Sequence, residues 1–466
     1  MKKHPGTNAW IVVIVIVTIC LAFFRISSVR YYQNHEQFSH EGDAFRIRED
    51  ALASNDVGAH PRTLAKFTEE PLRANQNYVE HPDENYAEQI LFYQKAILLD
   101  ATAEIDTVAP LERSPELDGT PVRNVILTTW RSGSTFLGDL MISHPRTFYH
   151  YEPLLPFGIN RVRADWKGGS LTTNATVALK LLKDLMMCRY ANLSDYLEFG
   201  KSHIYLMTHN EALWPRCRRL VPDSELSGYA QDIRNDADPA SFVDRTSRVP
   251  LYDNSLCFDA RFLSRLCAMF PVQAIKTVRL GLAAAEPLIS DPRMNLRVLL
   301  LVRDPRGTME SRRHRDWCPG NADCDDPVKL CGDLIADYHA AEVLTRKYPG
   351  KVRVERYEDF STDLENSVPK IFKFLRLAFT NTTKNFLESH TKVNVGGVSS
   401  TFRDSKRAPF EWRYKLSLEE IDLVQRPCRK AMKLWGYKLM NTTEIRTKLN
   451  MDEFNPLVNG YKLPFV

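Results

Sequence analysis

The sequence predicts an α/β protein: a P-loop-like, mainly parallel sheet flanked by helices, set behind an amino-terminal membrane anchor and a stem. Three observations predict it. Short runs at residues 125–127, 272–278, 298–302 and 352–356, rich in valine, isoleucine and leucine, alternate with stretches of helical spacing. That order is expected of β-α-β units with right-handed crossovers. The runs at 125–127 and 298–302 are apolar throughout, as strands buried on both faces are. Each of these two then enters a short polar or charged loop that opens a helix.

At 466 residues the chain has room for one large domain or two ordinary ones, plus accessories. Its hydrophobic content of 44% is that of a globular protein, and a net charge of +4 is too small for bulk nucleic-acid binding. No nucleic-acid partner is expected, and any basic site must be local.

Taken in order, residues 1–9 carry Lys2 and Lys3 and read as a cytoplasmic tail. Residues 10–24 are apolar but for Thr18, and the span is assigned to 10–29. This is short for a plasma membrane but adequate for the thinner bilayer of the early secretory pathway. No small-x-small cleavage site follows Phe24, so an uncleaved anchor is favoured over a removed signal peptide, with the two lysines outside the lumen. Residues 30–118 form a polar luminal stem. Within it, 84–103 places Ile90, Leu91, Gln94, Ile97 and Leu98 on one helical stripe. Packing on the main domain is the ordinary explanation of that stripe, and a stem-mediated homodimer the alternative.

The luminal domain, 119–466, opens on NVILTTWRSGSTFLGDLMISHP at residues 124–145. Strand, tight loop and helix aim backbone N–H groups and a helix N-terminus at an anion. Arg131 adds a cation, Ser132, Ser134 and Thr135 add hydroxyls, and Gly133 permits close backbone approach. Phe136, Leu137, Leu140 and Met141 resume at helical spacing. The Walker A pattern is absent. The chemistry is that of a phosphate or sulfate cradle.

Residues 148–156 read as a strand entering a loop, 176–188 as a helix, and 261–270 as a helix stopped by Pro271. The Pro-, Asp- and Arg-rich region 203–256 is expected to be loop-dominated and to bear on acceptor choice. A long helix over 329–348 carries Leu330, Leu334, Tyr338, Ala341 and Thr345 on one stripe. Thr362 with Glu365, and Ser417 with Glu420, match capping boxes. Asn174, Asn192, Asn381 and Asn441 each open an N-x-S/T glycosylation pattern. Cys20 lies in the apolar run, and the other eight of the nine cysteines suffice for four disulfides of open connectivity. A zinc site through Cys318, Cys324 and Cys331 is disfavoured, because no C-x-x-C pair occurs. No metal is expected.

A second loop signature is RVLLLVRDPRGTMESRR at 297–313. Together the two stretches resemble the paired signatures of sulfotransferases that use 3′-phosphoadenylyl sulfate. The wording RSGSTFLGDL, with arginine where cytosolic members carry lysine, looks like the Golgi carbohydrate 6-O-sulfotransferases of the galactose, N-acetylgalactosamine and N-acetylglucosamine group. RYEDF at 356–360, TFRDSKRAPFEWRYKLS at 401–417 and the ending from Cys428 to Tyr437 look like later pieces of the same family.

The resemblance implies the sulfotransferase fold, with residues Arg131 to Leu137 holding the 5′-phosphosulfate of the donor. Arg303 and Ser311 would hold the 3′-phosphate, with Arg306 a lesser candidate. Thr401 and Arg403 would close over the nucleotide, and Trp412 either stacks on adenine or belongs to the core. Cytosolic members take their base from a K-T-H stretch, but here Lys276-Thr277 is followed by Val278. The heparan-type pattern points instead to Glu152 as general base, with His144 and His150 as rivals. The implied partners are a glycan or proteoglycan acceptor and the Golgi membrane. Two other readings share the anchor, glycans and disulfides. One is a luminal glycosyltransferase with a metal-binding Asp-x-Asp at Asp323/Asp325 or Asp236/Asp238, and the other is a non-catalytic glycan-binding protein.

Overall fold

Five parallel strands lie in the order β2-β3-β1-β4-β5. They are β1 (Val122–Leu127), β2 (Thr147–Tyr151), β3 (Val272–Thr277), β4 (Leu296–Val302) and β5 (Val352–Arg356). The computed structural model describes residues 84–108, 121–164, 171–221, 252–392, 394, 401–440, 457–458 and 460–465. All belong to one compact unit, His60–Val466. The expected tail, anchor and most of the stem lie outside the described residues. Among those described, no helix is long and apolar enough to cross a membrane.

Every residue of β1, β3 and β4 is buried, while edge strand β5 alternates. Central parallel strands covered on both faces need this uniform burial. β1 pairs with β3 on one side, Leu127 opposite Thr277, and with β4 on the other, Leu127 opposite Leu300. The chain passes from β1 to β2 and β3, then crosses to β4 beyond β1. The strand order therefore reverses between β1 and β4, and in open parallel sheets the crevice at such a point receives ligands.

β1 begins three residues before the predicted apolar run, because its polar residues are satisfied inside. Arg123 Nε donates to Met186 O at 2.8 Å, and the Asn124 amide donates to Leu375 O at 3.0 Å. Both acceptors are carbonyls at helix C-terminal ends, which seek such donors.

Side chains alternate across the strands. Ile126, Leu299 and Leu301 face α2 (Ser134–Ile142), α7 (Tyr357–Thr362) and α8 (Leu364–Leu375) through Leu137, Leu140, Phe360 and Ile371. Val125, Leu127, Val298 and Leu300 join the other core. It includes residues of α1 (Glu84–Val108), α3 (Thr173–Met186), α4 (Ala260–Ala268), α6 (Pro327–Lys347) and α10 (Leu418–Trp435). Two further helices complete the frame near the loops: α5 (Pro305–Arg312) and α9 (Asn381–His390).

Helix α1, expected to belong to a stem, packs on the rest of this unit. Ile90, Leu91, Gln94 and Leu98 are buried, whereas Ile97 is 41% exposed and falls off the packed face. Tyr86 donates to Arg218 O at 3.2 Å, and Glu88 pairs with Arg265. Ser417 forms the predicted capping box with Glu420 at the start of α10. Thr362 does not. It is the last residue of α7, its hydroxyl donates back to Glu358 O at 2.7 Å, and Asp363 stands at the start of α8. A threonine bonded to the carbonyl four residues earlier is unavailable as a cap.

Four disulfides use the eight cysteines: Cys188–Cys267, Cys217–Cys257, Cys318–Cys324 and Cys331–Cys428. The thiols weighed for zinc are thus consumed in two separate bridges. Cys331–Cys428 joins α6 to α10 and closes 97 positions of chain, while Cys318–Cys324 closes 6. Loop closure in the unfolded chain makes the first contribute roughly 4–5 kcal/mol and the second roughly 2 kcal/mol. Denaturant titration under oxidising conditions should show the larger loss for Cys331→Ala/Cys428→Ala than for Cys318→Ala/Cys324→Ala.

Candidate active site

At the reversal point β1 ends and the chain turns through residues 128–133 into α2. Thr128 Oγ1 donates to Leu301 O of β4 at 2.6 Å and lies 2.5 Å from Ser132 Oγ, so the loop is tied to the neighbouring strand at its base. Arg131 and Gly133 both have left-handed backbones, φ 65° and 85°. Arginine pays strain there, a feature that collects at functional sites. At Gly133 a Cβ would lie 2.3 Å from the Tyr357 ring, so packing and backbone alike require glycine. Ser132 and Ser134 are buried, while Arg131 and Thr135 are half-buried. Ser134 opens α2, whose first-turn N–H groups have no intrahelical partners. The arrangement is an anion cradle.

The second signature folds against the first. Asp304 caps α5 by accepting from Arg306 N at 2.9 Å. Arg303 Nη1 donates to Arg131 O at 2.8 Å, and Arg131 Nε donates to Ser311 Oγ at 3.0 Å. Arg303 lies 4.8 Å from the Tyr357 ring, and its buried Nε has no hydrogen-bond partner. An orphaned buried donor beside a loop that presents N–H groups fits an anionic ligand. The loop at 131–137 and residues Arg303 and Ser311 thus lie together.

Arg306 is a correction. Its guanidinium is wholly buried, donates to Asp304 and Gln425, and lies 4.4 Å from the Trp412 ring. Each of its three nitrogens donates within the fold. Trp412 is fully buried too and belongs to the core. Leu137 is in the core behind α2, so only its backbone is at the loop. Phe136 starts a series of ring contacts: Phe386 at 5.8 Å, then His390 at 4.1 Å, then Phe402 at 3.9 Å. This series, with Arg403 N donating to His390 O at 3.1 Å, connects the Thr401–Arg403 segment to α2. The preceding Gly396 and Gly397 lie outside the described residues.

Glu152 follows β2 with φ 45° and is buried. Its Oε1 accepts from Lys276 Nζ at 2.7 Å, and its Oε2 accepts from Arg279 Nη1 at 2.7 Å and Val278 N at 3.3 Å. Burial alone would raise its pKa, but Lys276 and Arg279 outweigh it and hold the carboxyl below its ordinary range. Glu152 in turn outweighs the burial of Lys276 and raises the lysine. Tyr151 covers Lys276 at 4.6 Å, and His209 stacks on Tyr151 at 3.8 Å. Arg279 lies 5.7 Å from the Trp130 ring, so the carboxylate centre and the anion loop meet at Trp130. The rival bases are buried imidazoles pushed down by burial, His144 to about 3 and His150 to about 4. His150 shares a 2.6 Å hydrogen bond with Tyr190, and His144 a 3.2 Å one with Thr147.

Sequence reading missed Lys276 and Arg279 as partners of Glu152, and Tyr357 as the lid of Gly133. Lys276 was visible only as a motif lacking its histidine. Asp323 of the Asp-x-Asp alternative is bound to Arg163 at 2.7 and 2.9 Å and accepts from Arg161 N at 2.7 Å, so it serves the fold. Asp236 and Asp238 lie outside the described residues. Asn174, Asn192 and Asn381 are exposed, and Asn441 lies outside the described residues.

A protein-family model described as Sulfotransferase domain matches residues 122–436. Mouse carbohydrate sulfotransferase 1 is 27% identical over 342 residues, covering 69% of this chain and 80% of its own. Human carbohydrate sulfotransferase 6 is 26% identical over 383 residues, covering 76% of this chain and 90% of its own. The sulfotransferase domain of the Synechococcus PCC 7002 olefin synthase covers 69% of this chain and 97% of its own, at 16% identity and a TM-score of 0.35. That last likeness carries no argument.

Two outcomes follow from this geometry. Gly133→Ala should lower stability in denaturant by roughly 1–2 kcal/mol or more, since the left-handed backbone alone costs that much. Unchanged stability would contradict the tight packing of Tyr357 on this loop. Glu358 bonds Asp304 N at 2.9 Å and Tyr437 OH at 2.9 Å, and burial, then Asp304, raises its pKa from 4.5 to about 7. The folded state therefore keeps a proton that the unfolded chain releases. Its contribution to stability is full below pH 4.5 and is lost as pH rises through about 7. Glu358→Gln should flatten that part of the stability profile in denaturation at several pH values.

Proposed function

Because the chain belongs to the sulfotransferase domain family, we propose that it moves a sulfuryl group from 3′-phosphoadenylyl sulfate to a sugar hydroxyl. The acceptor is the 6-hydroxyl of a galactose, N-acetylgalactosamine or N-acetylglucosamine unit in a glycan or proteoglycan. The observation that carries the reading is the union of the two loops through Arg131, Arg303 and Ser311. The carbohydrate sulfotransferases matched across most of their length support the acceptor class. The resemblance of RSGSTFLGDL supports the 6-position. Four disulfides and exposed glycosylation asparagines support a luminal domain. The run at 10–24 supports a type II anchor in the Golgi membrane.

Bound in the cradle, the donor supplies an activated sulfuryl group. Residues 131–135 hold its 5′ end, with N–H groups, hydroxyls and the Arg131 guanidinium directed at phosphate and sulfate oxygens. Arg303, with its free Nε, and Ser311 select the 3′-phosphate. As the sugar oxygen bonds to sulfur and the S–O bond to phosphate breaks, these donors stabilise the charge left on phosphate. Glu152 takes the hydroxyl proton. Its depressed proton affinity suits a late transfer, once bond formation has made the hydroxyl acidic. Lys276 and Arg279 keep the carboxylate ionised and fixed. Thr401 and Arg403 close the nucleotide side.

Incubation with donor and a panel of desulfated glycans, followed by mass analysis, tests the reaction, and no sulfated product from any of them would contradict it. Glu152→Gln should leave affinity for adenosine 3′,5′-bisphosphate nearly unchanged and lower kcat by about 10²–10⁴-fold. The acidic limb of the kcat/KM profile, set by Glu152 protonation, should disappear with it. Near-normal turnover in Glu152→Gln, with loss in His150→Gln, would transfer the role to the histidine.

A further inference from the structure

Arg312 ends α5, one residue beyond Ser311, and none of the roles above uses it. Its side chain is 1% exposed. Nε donates to Trp130 O at 3.0 Å and Nη1 to Cys324 O at 2.7 Å, and the guanidinium lies 5.9 Å from the Trp130 ring. Burial pushes its pKa down, and Arg161 adds to that effect before Asp333, Asp323 and Asp325 oppose it. Among the described residues no carboxylate pairs with Arg312 within ion-pair distance. Arg161 and Arg306, also buried, take Asp337 and Asp304 as partners, whereas Arg123, like Arg312, is held by backbone carbonyls. A buried cation held by carbonyls alone is costly unless an anion is to come near.

The two carbonyls held from behind are consecutive. Arg312 holds that of Trp130, and Arg303 holds that of Arg131. In a planar trans peptide the N–H points opposite to the C=O. Pinning these oxygens toward α5 turns the N–H groups of Arg131 and Ser132 the other way, toward the cradle. The far end of the brace is fixed as well, because Cys324 O belongs to the turn closed by the Cys318–Cys324 bridge.

We propose that Arg312 is a positioning residue for the 5′-phosphosulfate: it sets the peptide orientation of the anion loop through the Trp130 carbonyl and places a positive charge behind that loop. The inference rests on the sulfotransferase reading above. It separates from general support of the fold by ligand dissection, since of the two anion-binding loops Arg312 holds the one that would carry the 5′ group.

The test is calorimetry on the glycosylated luminal chain with adenosine 3′,5′-bisphosphate and with adenosine 3′-phosphate, which lacks the 5′ group. Arg312→Met should weaken the bisphosphate about tenfold or more and leave the 3′-phosphate within about threefold of wild type. Arg312→Lys, which keeps the charge and one donor, should restore the bisphosphate to within about threefold to fivefold of wild type. Equal losses for both ligands in Arg312→Met, or no loss for either, would overturn the inference while leaving the sulfotransferase reading intact. Should Arg312→Met fail to fold, Arg312→Lys decides: a folded lysine variant that loses both ligands alike overturns it. Failure of the wild-type chain to bind the bisphosphate overturns both.

Discussion

The structure depends on the hold that the second strand–helix unit has on the first loop. The carbonyls of Trp130 and Arg131 belong to a turn that leaves β1, and the guanidinium groups that hold them leave β4 and end α5. That contact exists because β1 and β4 are adjacent and in register, and because β4 extends two residues past the last pairing with β1. Adjacent buried strands thus set the distance, α5 sets the direction of Ser311 and Arg312, and the loop acquires a left-handed turn at Arg131. Without the hold, a non-glycine residue would leave that conformation readily.

Charge is distributed around this contact in a consistent way. Three buried or half-buried arginines, Arg131, Arg303 and Arg312, meet at the loop: Arg131 donates to the Ser311 hydroxyl, and Arg303 and Arg312 donate to backbone carbonyls. The carboxylates stand a little further off and are matched: Asp304 to Arg306, Asp337 to Arg161, Glu152 to Lys276 and Arg279. Such buried pairs contribute little net stability, because desolvation offsets their attraction. Their effect here is to fix positions. Glu152 in particular is held by two cations and a backbone N–H, so its orientation is fixed.

The sheet and the anion loop were legible in the sequence because their signals are local. Uniform burial writes itself as unbroken apolar runs, and a strand–loop–helix turn needs Gly133 and small hydroxyl residues in a row. The start of β1 was not legible, since Arg123 and Asn124 are polar and their acceptors, Met186 and Leu375, lie far along the chain. For the same reason the cations around Glu152, 124 and 127 residues away, could not be read from its neighbours. Arg306 misled because a motif gives residue types and spacing, while the partner that claims the guanidinium, Asp304, is decided by how α5 caps itself. Cysteine spacing likewise does not choose among the pairings of eight thiols.

A crystal structure of the protein with adenosine 3′,5′-bisphosphate tests the central claim most directly. The account predicts the 5′-phosphate on the N–H groups of residues 131–135, with the Trp130 and Arg131 carbonyls still held by Arg312 and Arg303, and Arg303 Nε donating to the 3′-phosphate. A nucleotide bound elsewhere, or a loop that releases either carbonyl to receive it, would contradict the account.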